Sequence, residues 1–218
     1  GGERGNGGTT TITGGTVTAT GVGDAAGIGG GEEGHGNTTT ISGGSVNANG
    51  GRNSAGIGGG ELGAGGATTI SDGVATITGG PGAPAIGSGC GATSTGPISI
   101  GAPAVVFATA GDASACGGAA PAIVIPAVGG PGLAVDGVLH LSSSVLVDVP
   151  DHGPDPAIVV GPLGVIMGPD GTPTAGSGFT GAGTIENNGV IAFASDHVEV
   201  PVGNHNYLVT FNPSAGPP

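Results

Sequence analysis

Lysine and tryptophan are absent from this 218-residue chain, and Arg4 and Arg52 are its only strong bases against 15 acidic residues. A surface with a formal net charge of −13 repels phosphate backbones, so nucleic acid is not an expected partner. The basic patch that anionic lipid requires is missing as well. No run reaches the roughly 18 apolar residues that a spanning helix needs, so no membrane span is expected. Aromatic residues are scarce: Tyr207 is the one tyrosine beside four phenylalanines, too few for a strong sugar-stacking platform. No Gly-x-Ser-x-Gly or His-Glu-x-x-His phrase is present, and the glycine-rich loops lack the lysine of a phosphate cradle.

Cysteine is nearly absent too. Cys90 and Cys116 form no Cys-x-x-Cys pair and no metal cluster, and they lie 26 residues apart, close to the repeat length described below. A bridge between neighbouring coils would stabilise by about 3–4 kcal/mol on the loop-entropy estimate and would fit an extracellular setting. Two small buried thiols in adjacent rungs are the alternative.

Glycine and proline are plentiful, with 54 and 17 residues, a composition that by itself suggests disorder. A strict repeat argues otherwise. Gly27-Ile28-Gly29-Gly30-Gly31 returns as Gly56-Ile57-Gly58-Gly59-Gly60, and in altered form as Ala85-Ile86-Gly87-Ser88-Gly89, at a step of 29 residues. Ile12, Ile41 and Ile70 keep the same step. Two independent markers with one period define a repeat architecture. Within the repeat, Thr16-Val17-Thr18-Ala19-Thr20 alternates with period two, which is strand and not helix. The Gly14-Gly15 pair reads as a tight corner between two short strands, and Ile28 centres a third. One such unit cannot bury its apolar face alone; stacked units can.

The expected fold is therefore all-β: a parallel β-helix (solenoid) with three-strand coils of about 29 residues. The inward ladders are Ile12–Ile41–Ile70, Val17–Val46 with Val74 or Ala75, Ile28–Ile57–Ile86, and Ala19–Ala48–Ile77. Residues 1–90 hold only 12 Leu, Ile, Val or Phe residues, enough for a thin shared core, whereas 91–218 hold 35. Regular coils are expected over 1–90 and a less regular continuation over 91–205. Residues 206–218 read as a cap or the start of a further module. In the continuation, Ile98 and Ile100 follow Ile70, and Ala115-Cys116-Gly117-Gly118 stands one period after Ile86.

Three groups of residues are candidates for chemistry. Thr16, Thr18 and Thr20 above Ser45, Asn47 and Asn49 form outward rows of hydroxyls and amides suited to a hydrogen-bonding partner. Asp24, Glu32 and Glu61 lie beside the Gly-Ile-Gly-Gly-Gly phrases. Glu32 and Glu61, one period apart, would stack like charges that a Ca²⁺ ion could relieve. Solvated charge that guards a sheet edge is the simpler reading, and no cofactor is otherwise expected. Asp148, Asp151 and Asp155 around His152, with Asp196, His197 and Glu199 as a second group, are candidates for a glycosidase carboxylate pair or a metal site. Asp, His, Gly and Pro are equally what exposed turns are made of.

The Gly-Gly-Thr-Val-Thr-Ala-Thr-Gly and Ala-Gly-Ile-Gly-Gly-Gly phrases resemble the Gly/Thr-rich repeats of secreted and wall-attached proteins of Gram-positive bacteria. That resemblance implies a β-solenoid, adhesin-like or carbohydrate-binding surface region. Asn206-Tyr207-Leu208-Val209-Thr210-Phe211-Asn212-Pro213 is similar to the opening of an internalin-type B repeat, which implies a stalk module starting there. The opening residues Gly1-Gly2-Glu3-Arg4-Gly5-Asn6 do not read as a signal peptide, so a leader is expected to be absent from them. The expected role is an extracellular structural or adhesive module, secreted or on the cell surface. Its partner would be a glycan or surface component, or further copies stacked end to end. A polysaccharide-acting β-helix enzyme using the loop carboxylates is the alternative.

Overall fold

The computed structural model describes residues 2–112, 121–126, 131–142, 145–149, 155–168, 179–181 and 185–192. Every regular element among them is a strand, and all pairings are parallel. The first coil carries β1 (Thr10–Ile12), β2 (Thr16–Thr20) and β3 (Ile28–Gly29). The second carries β4 (Thr39–Asn49) and β5 (Ile57–Gly58), the third β6 (Thr68–Thr78) and β7 (Ile86–Gly87). Then follow β8 (Ile98–Ile100), β9 (Val105–Thr109) and β10 (Pro121–Val124), and β11 (Leu133–Val135), β12 (Val138–Leu141) and β13 (Val145–Val149). The last described coils carry β14 (Ile158–Val160), β15 (Val165–Met167), β16 (Phe179–Gly181), β17 (Ile185–Asn187) and β18 (Val190–Ala192).

These strands make two walls, a 12-stranded sheet and a 6-stranded one. The chain is a parallel β-solenoid, and the expected ladders are its core. Ile12 pairs with Ile41 and Ile41 with Ile70; Ile28, Ile57 and Ile86 stack in the smaller sheet. Val46 stands over Ala75, not Val74, while Val74 points outward and is 43% exposed. The exchange is volumetric. The second coil packs Val46 beside Ala48, and the third packs Ala75 beside Ile77, so a large and a small residue trade places within one layer. Ile41, Ile57, Ile70, Ile77 and Ile86 are all fully buried. One such isoleucine contributes about 1.5–3 kcal/mol by its removal from water.

Two expectations about the coil change. The Gly-Gly pair does not turn a corner between separate walls. In the second and third coils, the strands on either side of it run together into the 11-residue β4 and β6, with a register irregularity between Ile41 and Ser45. Gly44 (φ +89°) and Gly73 (φ +88°) bend the strand there in the left-handed region that only glycine enters freely. Beyond residue 90 the period also becomes uneven, 37 residues from Ile86 to Ile123 and then 24 from Ile123 to Val147. Ile70 pairs with Ile100, and the rung after Ile86 is Ile123 rather than residues 115–118. Inserted residues are absorbed in the corners, so the ladders stay continuous while the coil length varies. Ala75, Val106, Leu139, Ile166 and Ile191 follow one another without a break.

Candidate functional site on the outer face of the long sheet

Because β2 and the matching stretches 45–49 of β4 and 74–78 of β6 alternate, burying Val17, Val46 and Ala75 forces their neighbours outward. The register stacks Thr16 on Ser45, Thr18 on Asn47 and Thr20 on Asn49, and then Asn47 on Thr76 and Asn49 on Thr78. The six side chains singled out from the sequence therefore share one face. All are exposed except Asn49, which is partly covered and donates from Nδ2 to Asn47 Oδ1 at 3.1 Å. Thr11, Thr40, Thr69 and Ser99 add a second polar row on the same sheet. The result is an ordered array of hydroxyls and amides, held at the spacing of paired strands, about 4.8 Å.

The same outward positions change character farther along. Thr16 and Ser45 give way to Val74, Val105, Val138 and Val165, and Thr18, Asn47 and Thr76 to Phe107, His140 and Met167. Phe107 and His140 are partners in adjacent strands, and their rings stack with centroids 4.7 Å apart and 15° between planes. Each ring thus turns a face to the other along the solenoid axis. Phe107 spends on an internal contact the surface that a sugar ring would need. The uneven coil lengths hid this change of face, since it emerges only once the register is known.

The acidic group is organised by a base. Arg52 donates from Nε and Nη2 to the two carboxylate oxygens of Asp24, at 2.9 and 3.0 Å, across neighbouring coils. This fork holds the Asp24 carboxyl below its ordinary value, and Asp24 raises Arg52 in turn. Glu61 and Glu32 both lie within the field of the same guanidinium. Glu61 also accepts from Asn53 Nδ2 at 3.0 Å, and its N–H donates to the Asp24 carbonyl at 3.1 Å. Arg52 thus ion-pairs with Asp24, one of the three acidic residues singled out from the sequence. No group of three or more His, Cys, Asp or Glu that could hold a metal ion occurs among the described residues.

Arg4 pairs with Glu33 at 3.2 Å, one period later. Both stand at the same left-handed corner, φ 56° and 55°, which sets their side chains side by side. Opposite charges 28 and 29 residues apart were the available sign of both clamps, and reading only the acidic residues missed them.

The remaining candidates fall largely outside the described residues. Asp148 lies in β13, paired through its backbone with Val124 and Thr180, and Asp155 is exposed. Asp151, His152, Asp196, His197 and Glu199 lie outside, as does the 206–213 phrase. Cys90 is disulfide-bonded; Cys116, the one other cysteine in the chain, also lies outside.

A family model described as a beta helix repeat matches residues 11–32 and 40–61. Those spans are the strands of the first two coils. No curated protein and no solved structure matches the chain. Among the described residues, no helix is long and apolar enough to cross a membrane.

Proposed function

We propose that this chain is a non-catalytic, extracellular surface module whose stacked coils form a stiff rod. The outer face of its first three coils then holds a neutral glycan. The carrying observation is the alignment of Thr16, Thr18 and Thr20 with Ser45, Asn47, Asn49, Thr76 and Thr78 on one exposed sheet face. Hydroxyls and amides both donate and accept, as sugar hydroxyls require. Their backbone is fixed by the core beneath, so little order is lost on binding. A net charge of −13 disfavours acidic glycans and leaves neutral ones. Association of copies by end-to-end stacking belongs to the same reading.

A glycan array probed with the wild-type chain and with the triple variant Thr18→Ala, Asn47→Ala, Thr76→Ala tests it. Neutral glycans bound by the wild type and lost at least tenfold in the variant would support the reading. Equal binding by both, or binding to none, would overturn it.

A further inference from the structure

We propose that the glycan is an extended, β-linked chain of neutral pyranoses lying along the solenoid axis, one sugar to a coil. The proposal rests on the glycan reading above and adds to it the linkage class of the ligand and its direction across the strands.

The polar array has a grain. Followed along the axis, Thr18, Asn47 and Thr76 form one unbroken polar column, and Thr20, Asn49, Thr78 and Thr109 form another. Followed along a strand, the outward row is broken. The third coil places Val74 before Thr76 and Thr78, and the fourth places Val105 and Phe107 before Thr109. A ligand that keeps to the axis stays on hydroxyls and amides through three coils.

Spacing selects the same direction. An extended pyranose chain advances by about 5 Å per sugar, close to the ~4.8 Å between paired strands and short of the ~6.6 Å between successive outward residues of one strand. Three sugars along the axis therefore keep step with three coils, each meeting the same two columns. Laid along a strand, the third sugar falls about 3 Å short of its side chain. An α-linked chain that curls keeps step with neither.

The middle coil supplies an oriented donor. Asn47 Oδ1 accepts from Asn49 Nδ2 at 3.1 Å, which fixes the exposed Asn47 amide and leaves its Nδ2 to donate to a sugar oxygen. An amide already held in place gives up little freedom on binding. The exposed hydroxyls of Thr18 and Thr76, on either side of it, turn to donate or accept as the neighbouring sugars require. In the fourth coil the column meets Phe107, which is stacked on His140, and its hydrogen-bonding groups are interrupted there.

Calorimetric titration of the whole chain with β-1,4-linked glucose oligomers of one, two and three residues tests this, with the α-1,4-linked trimer for comparison. Affinity should rise with each β-linked sugar, and the β-linked trimer should bind about tenfold tighter than the α-linked one. The variant Thr16→Ala, Thr18→Ala, Thr20→Ala takes one coil out of the array. It should bind the trimer no better than the dimer and hold the dimer as the wild type does. A chain lying along a strand would keep its trimer affinity there, because the second coil is intact. Thr76→Ala, a single exposed substitution in the third coil, should act in the same way and keeps the test open if the triple variant fails to fold. No gain with length, equal affinity for the two trimers, or trimer binding unchanged in folded variants would each overturn the proposal. If the wild type still binds neutral glycans on the array, any of these sinks the axial chain alone; an array bound nowhere sinks the glycan reading and this proposal with it.

Discussion

Arg52 grips both carboxylate oxygens of Asp24 from the neighbouring coil, and the side chain of Asp24 is 15% exposed within that grip. Two coils are joined there, at a corner where Asp24 and Glu32 of the first and Glu61 of the second all lie in the field of the guanidinium.

Replacing this base with Arg52→Gln should lower the melting temperature at neutral pH. Asp24 has a depressed value in the folded chain, so its contribution is complete above the unfolded carboxyl value, about 3.9. It is lost as pH falls below that and through the lower folded value. Melting curves of wild type and variant should therefore differ at pH 7 and converge toward pH 3. A constant difference across that range would show that the clamp is not electrostatic. Added calcium is expected to leave the wild-type curve unchanged, which a titration at neutral pH would check.

Ile57 stands between Ile28 and Ile86 in the smaller sheet and is 1% exposed. Ile57→Ala should cost about 2–5 kcal/mol, combining lost burial with a cavity that rigid neighbouring coils cannot close. Denaturant unfolding gives the value. A loss under about 1 kcal/mol would mean that the smaller sheet is not a packed wall.

The next residue sets a harder limit. Gly58 has φ +140°, and a Cβ there would fall on the carbonyl oxygen of Gly87 in the following coil. Gly58→Ala should prevent the two coils from closing and sharply reduce soluble folded protein. Gly14→Ala is the control, since a Cβ there meets nothing within 4 Å. Comparable yields and melting curves for the two variants would refute the close approach.

Reduction should be costly as well. Cys90 is bridged and the chain has one other cysteine, so non-reducing peptide mapping should recover a linked Cys90–Cys116 pair. Its loss, by Cys90→Ser with Cys116→Ser, is expected to remove about 3–4 kcal/mol for a loop of this length. Recovery of the two peptides unlinked from fresh protein would contradict it.

Much of the architecture was legible in the residues. The 29-residue step aligned Ile12 with Ile41 and Ile28 with Ile57, and period two separated Val17 from Thr16 and Thr18. Such patterns survive in sequence because a parallel stack repeats its environment once per coil. Ala75 and Val74 were harder to separate, since both are small and apolar. The register keeps the 29-residue step from Val46 to Ala75 across the irregularity between Ile41 and Ser45, which turns Ala75 inward. Past residue 90, corner lengths vary, and no fixed step could find Ile123 above Ile86 or Phe107 beside His140.

The sequence by itself determined the parallel β-solenoid, its inward ladders and the polar rows of the first two coils, because each depends only on period and alternation. The tertiary structure decided where Arg52 reaches, how the outer face turns from threonine to valine, and that the rings of Phe107 and His140 stack. Those depend on corner geometry and coil length, which place side chains in three dimensions without leaving a regular interval in the chain.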